Sequence, residues 1–139
     1  MLTYAVQKVG KNSLPVEPQG ATNFDAFMGA IDAFPWAAQL AAWNENQDGP
    51  LPALVLQNKE SDRELWVTAL FTELAASFQV HAMSMQLRKG LFGFGKPKLS
   101  RNVTTVELND RNDMSRLCRM FCDGDYEALD LEVARLAEC

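Results

Sequence analysis

The chain has 139 residues, 47% of them hydrophobic and 22% charged. That is one globular domain's worth, and it excludes disordered, collagen-like and coiled-coil chains. Thirteen Lys and Arg against 18 Asp and Glu give a formal charge of −5, which lacks the basic footprint of a duplex-binding protein, so direct nucleic-acid binding is not expected.

The first eleven residues contain no basic stretch followed by an apolar one, and no apolar run reaches the roughly 18–20 residues of a membrane helix. A cytosolic protein without membrane contact is therefore expected. Residues 2–9 read as a short strand. Residues 10–22, with Gly10, Pro15, Pro18 and Gly20, read as an irregular connection.

Phe24, Phe27, Met28 and Ile31 then recur at i, i+3, i+4 and i+7, the stripe of an amphipathic helix. Thr22 or Asn23 is placed to cap it. Pro35 breaks the pattern and suits the first position of a second short helix, along which Trp36, Leu40 and Trp43 continue. Both tryptophans read as core.

The period changes at residue 53. Residues 53–57 and 64–71, separated by about six polar residues, predict an antiparallel hairpin. Residues 78–89 predict a third strand and residues 103–108, rich in β-branched side chains, a fourth. Both faces of these strands are apolar. Either helices cover both faces, or part of one face meets a partner.

Helix returns at the C-terminus. Met114, Leu117, Cys118 and Phe121 form one stripe, with Asp110 or Asn112 as cap and Gly124 as the left-handed terminator. Asp125 is placed to cap a last helix carrying Leu129, Val133 and Leu136. Segregated strands and helices predict an α+β domain spanning residues 1–139. Its expected architecture is an antiparallel three- to four-stranded meander flanked by N-terminal and C-terminal helices.

The chemistry-bearing residues are sparse. Gly90 to Lys96 has P-loop spacing, but Pro97 stands where the magnesium-binding Ser or Thr is needed, and no helix pattern follows. His81 is the single histidine and reads as a sheet residue, so no catalytic constellation is expected. Cys118, Cys122 and Cys139 are too few for a disulfide framework or a metal site, and the first two read as packing residues. No cofactor and no metal are expected.

Two charge patterns stand out. Residues 86–101 carry Arg88, Lys89, Lys96, Lys98 and Arg101 without an acid, and Phe92 and Phe94 lie among them. Residues 123–139 carry Asp123, Asp125, Glu127, Asp130, Glu132 and Glu138 against Arg135 alone. Such an acidic surface suits docking on a basic cleft. The primary candidate contacts are thus Asp123, Asp125, Glu127, Asp130 and Glu132. Arg88, Lys89, Phe92, Phe94 and Lys96 form a secondary candidate interface.

Three segments carry a resemblance: residues 65–70 (Leu-Trp-Val-Thr-Ala-Leu), the glycine-rich 90–96 stretch, and residues 119–129 with their Phe, Gly-Asp-Tyr and Leu ending. Together they resemble the small cytosolic immunity proteins of bacterial polymorphic-toxin systems, such as contact-dependent inhibition and type VI secretion. That resemblance implies a non-enzymatic inhibitor bound one-to-one to a cognate toxin domain, usually across its active site. It transfers no functional residue. A cytosolic inhibitor suits a cytosol-acting toxin, for instance a nuclease, whose cleft is basic because it binds phosphates. Two other readings compete: a secretion chaperone or adaptor, and a small-ligand-binding protein.

Overall fold

The computed structural model describes residues 2–8, 17–45, 51–71, 76–88 and 98–137. It is an α+β fold: one six-stranded antiparallel sheet and four helices. The order along the chain is β1 (Leu2–Gln7), β2 (Glu17–Ala21), α1 (Phe24–Ala33), α2 (Trp36–Glu45), β3 (Ala53–Asn58), β4 (Arg63–Phe71), β5 (Ala76–Arg88), β6 (Lys98–Leu108), α3 (Arg111–Cys122) and α4 (Tyr126–Ala137). Across the sheet the order is β2-β1-β3-β4-β5-β6.

The sheet is larger than the sequence predicts, for two reasons. The stretch read as irregular contains β2, which pairs with β1 and carries Pro18. Proline is tolerated there because an edge strand needs no inner donor at that position. Second, β6 begins at Lys98, five residues before the expected start, and its register with β5 runs unbroken from Arg88↔Lys98 to Phe78↔Leu108. Since β4 ends its pairing at Arg63↔Ser84, the last turns of β5 and first turns of β6 extend past β4 as a two-stranded ribbon. Among the described residues no third strand lies beside that ribbon, and the start of β6, Lys98-Leu99-Ser100-Arg101, has a single apolar residue, so its sequence carries no strand signal.

The register stacks apolar side chains in rows on one face. Val6, Leu54, Val67, Val80 and Val106 form one row, and Tyr4, Leu56, Leu65, Ala82 and Thr104 the next. Onto this inner face pack Phe27, Met28 and Ile31 of α1, Met114, Leu117, Cys118 and Phe121 of α3, and Leu129 and Val133 of α4. Trp36 at the head of α2 is also buried, its indole N–H donating to the Ile31 carbonyl at 2.8 Å. Trp43 and Trp66 are half-buried rather than core.

The opposite face is treated unevenly. Its β1–β3 part is buried at Ala5, Ala53 and Val55. Thr68 and Gln7 there donate to the carbonyls of Pro52 (2.9 Å) and Leu51 (2.8 Å), fixing the approach to β3. Its β6 part is open: Val103 is 46% exposed, and Thr105 and Glu107 are exposed. Helices α1, α3 and α4 therefore pack on one face, and among the described residues the β6 part of the other is exposed.

The helix ends match their expected signals. The Asn23 side chain accepts from the Ala26 N–H at 2.8 Å, and the Asp110 side chain accepts from the Asn112 N–H at 2.8 Å. Pro35 sits one position earlier than expected, just before α2, where its carbonyl accepts from Gln39.

Candidate functional site

The acidic segment begins where α3 turns into α4. Gly124 adopts φ +74, its N–H donates to Phe121, and the Asp125 N–H reaches back to Met120. This 5→2 and 6→1 pair is a Schellman motif. The Asp125 carbonyl then accepts the Leu129 N–H at 3.0 Å, which makes Asp125 the N-cap residue of α4. Two helices thus meet at a corner with no slack residue between them.

The corner is tied to the sheet beneath it. The Tyr126 hydroxyl accepts from the Asn58 amide at 2.7 Å, and its ring stacks edge-on to Phe121 with centroids 5.4 Å apart. The Arg63 guanidinium lies 4.7 Å over the Tyr126 ring and forks onto Asp130 at 2.9 and 3.0 Å. Bidentate geometry of this kind is directional as well as attractive. Asn58 and Arg63 flank the β3–β4 turn, so that turn is the anchor of the corner.

The five predicted acids do not form one face. Helical geometry sets Asp130 and Glu132 about 200° apart around α4, on opposite flanks of the buried Leu129–Val133 stripe. Glu132 turns toward α3, where it accepts from Arg116 at 2.8 Å and also pairs with Arg135. Those hydrogen bonds and charges, Arg135 foremost, hold its carboxyl below the usual glutamate range. Its side chain is only 17% exposed, so Glu132 fastens α4 to α3 rather than facing a partner. Asp130 keeps 54% exposure despite its pairing, and Asp123 sits 3.6 Å from Arg119 with 61% exposure. Asp125 and Glu127 are exposed.

Asp123, Asp125, Glu127 and Asp130 are thus the exposed carboxylates along the corner and the first turns of α4. Beside Glu127 and Asp130, at i+4 and i+1, stands Leu131, 69% exposed. Sequence reasoning missed Leu131, because it stands between Asp130 and Glu132, off the Leu129, Val133 and Leu136 stripe, where attention went to the charges.

In the secondary candidate set, Lys89, Phe92, Phe94 and Lys96 lie outside the described residues, as does the whole glycine-rich 90–96 stretch. Arg88 is the last residue of β5, opposite Lys98. Cys139 also lies outside them.

The other residues singled out by type resolve simply. His81 sits on the open face of β5, with Nδ1 2.7 Å from the Thr105 hydroxyl. Partial burial lowers its pKa and favours the neutral ring. Cys118 is fully buried and its thiol pKa is pushed up by desolvation; that of half-buried Cys122 is pushed up to about 11, again mainly by burial. Neither has the thiolate character that reactivity needs at neutral pH. Beside the corner, a cavity of about 320 Å³ opens between α4 and the β5–β6 strands, lined by Ser84, Asn102, Thr104, Leu129 and Asp130 among others.

Among the described residues, no three metal-ligating side chains come together and no helix is long and apolar enough to cross a membrane. Comparison with protein families, curated proteins and solved structures gives no match. The functional reading therefore rests on the chain's own residues.

Proposed function

We propose that this is a non-enzymatic cytosolic immunity protein that binds a cognate bacterial toxin domain and blocks its active site. The observation that supports this most is the α3–α4 corner, a turn without slack that carries the exposed Asp123, Asp125, Glu127 and Asp130, with the exposed Leu131 one helical turn after Glu127. Preorganised charge costs little ordering on binding and speeds encounter with an oppositely charged cleft. A toxin with a basic, phosphate-binding cleft, as in a nuclease, is the complement in charge.

Glu132 is left out of this contact because it is spent on Arg116 and Arg135. The contact set is Asp123, Asp125, Glu127, Asp130 and Leu131. The test is co-purification of the full chain with its toxin, using the variant Asp123→Asn/Asp125→Asn/Glu127→Gln as comparison. Asparagine at 125 keeps the helix cap while removing the charge. A well-folded variant that binds at least about tenfold more weakly, or about 1.4 kcal/mol, is the expected result. Unchanged affinity moves the contact to the basic 86–101 segment or to the open sheet face.

A further inference from the structure

The two edges of the sheet are built differently. The β2 edge is five residues long, carries Pro18, and follows a bulge between Tyr4 and Ala5. Those are standard devices for preventing edge-to-edge pairing. The β6 edge has none of them. It is eleven residues long without proline or glycine, its register with β5 is unbroken, and Val103-Thr104-Thr105-Val106 gives it a β-branched centre. Asn102, Val103, Thr105 and Glu107 are exposed along it.

Charges on an edge strand normally repel further strands, but here the two signs are spaced symmetrically. Antiparallel self-pairing about a two-fold axis at residue n places residue n−k opposite n+k. An axis at Thr104 sets Arg101 opposite the partner's Glu107, and this happens twice. It also sets Val103 opposite the partner's Thr105, twice, on the same open face. Moving the axis to Val103 puts Arg101 opposite Thr105 and Glu107 opposite Leu99. Moving it to Thr105 puts Arg101 opposite Asn109 and Glu107 opposite Val103. One register therefore pairs both charges and shields the exposed valine together.

We propose that β6 is a homodimerisation edge, joining two copies of this chain into one continuous antiparallel sheet about an axis at Thr104. This goes beyond the inhibitor reading and fails separately from it. The α3–α4 corner is anchored at the β3–β4 turn; α4 packs on the inner face of β6, while the register places positions 101 and 107 on the other face of that strand, so substitutions there leave the corner in place.

Sedimentation equilibrium of the full purified chain, without toxin, tests it. The expected mass at about 100 µM is twice the 15.5 kDa of one chain, falling on dilution as mass action requires. Arg101→Glu and Glu107→Arg should each weaken the dimer about tenfold or more by setting like charges opposite each other. The double variant Arg101→Glu/Glu107→Arg restores opposite signs and should return to within about threefold of the wild type. Both positions lie on the edge strand β6, and far-UV circular dichroism checks that each variant is folded. A monomeric wild type at that concentration overturns the proposal. So does a dimer insensitive to either reversal, or a double variant no better than the singles. Protection of residues 102–107 from hydrogen exchange only when toxin is added also overturns it, by showing a foreign strand on that edge.

Discussion

Arg63 does more for the fold than its surface position suggests. It reaches Asp130 across 67 residues of chain and stacks on Tyr126, holding the last helix to the β3–β4 turn. Exposed ion pairs typically contribute about 0.2–1 kcal/mol, with bidentate arginine geometry at the upper end. A double-mutant cycle of Arg63→Met and Asp130→Asn should give a coupling of roughly 0.5–1 kcal/mol that shrinks at high salt. Equal coupling in low and high salt would show that packing on Tyr126, not charge, is the link. Gly124 offers a second single-residue test. Open space surrounds the position a Cβ would take, so only its φ of +74 resists substitution. Gly124→Ala should destabilise by about 1 kcal/mol, read by urea unfolding, with the fold retained.

At the scale of elements, the helices are legible, β2 is not, and β6 reads short at its start. The stripe from Phe24 to Ile31 and that from Met114 to Phe121 bury the residues their spacing selects. Local caps at Asn23, Asp110 and Gly124 also follow directly from sequence, because they depend on neighbours within a few positions. β2 was hidden by Pro18 and Gly20, which normally signal a turn and here lie on an edge where their defects cost little. The early start of β6 was hidden because Lys98-Leu99-Ser100-Arg101 has a single apolar residue. The acidic run was legible as charge, but not as structure. Its arginine partners Arg63 and Arg116 come from other elements, and periodicity carries no information about them. Glu132 shows the consequence for pH. Its folded carboxyl titrates below its ordinary range, so its pairing stabilises fully above the ordinary glutamate pKa of about 4.3 and is lost as pH falls through the lower folded value. Wild type and Glu132→Gln should differ in melting temperature at pH 6 and converge at acid pH. A constant difference across that range would show that the loss is one of packing alone.

For the whole molecule, one sheet carries separate surfaces on separate elements. Three helices seal the inner face, the α3–α4 corner presents charge above the β3–β4 turn, and β6 leaves an open edge beyond β5. Because α4 packs on the inner face of β6, the two surfaces are tested independently by substitutions on the other face of β6, at positions 101 and 107. The division of surfaces also explains why composition alone was a weak guide. A net charge of −5 is spread over carboxylates of which some fasten helices and others face outward.

The most direct test of the inhibitor reading is parallel affinity capture from a lysate of the source organism, with wild type and Leu131→Arg as baits and mass-spectrometric identification. Leu131 touches no core residue's place and is mostly exposed, so the variant should fold normally while placing a cation beside Glu127 and Asp130. The expected result is recovery of the C-terminal domain of a large secreted protein, at one toxin per inhibitor chain, by the wild type and not by Leu131→Arg. Equal recovery by both baits would contradict the assignment of the corner as the binding surface. Recovery of an unfolded secretion substrate instead of a folded toxin domain would contradict the inhibitor function itself.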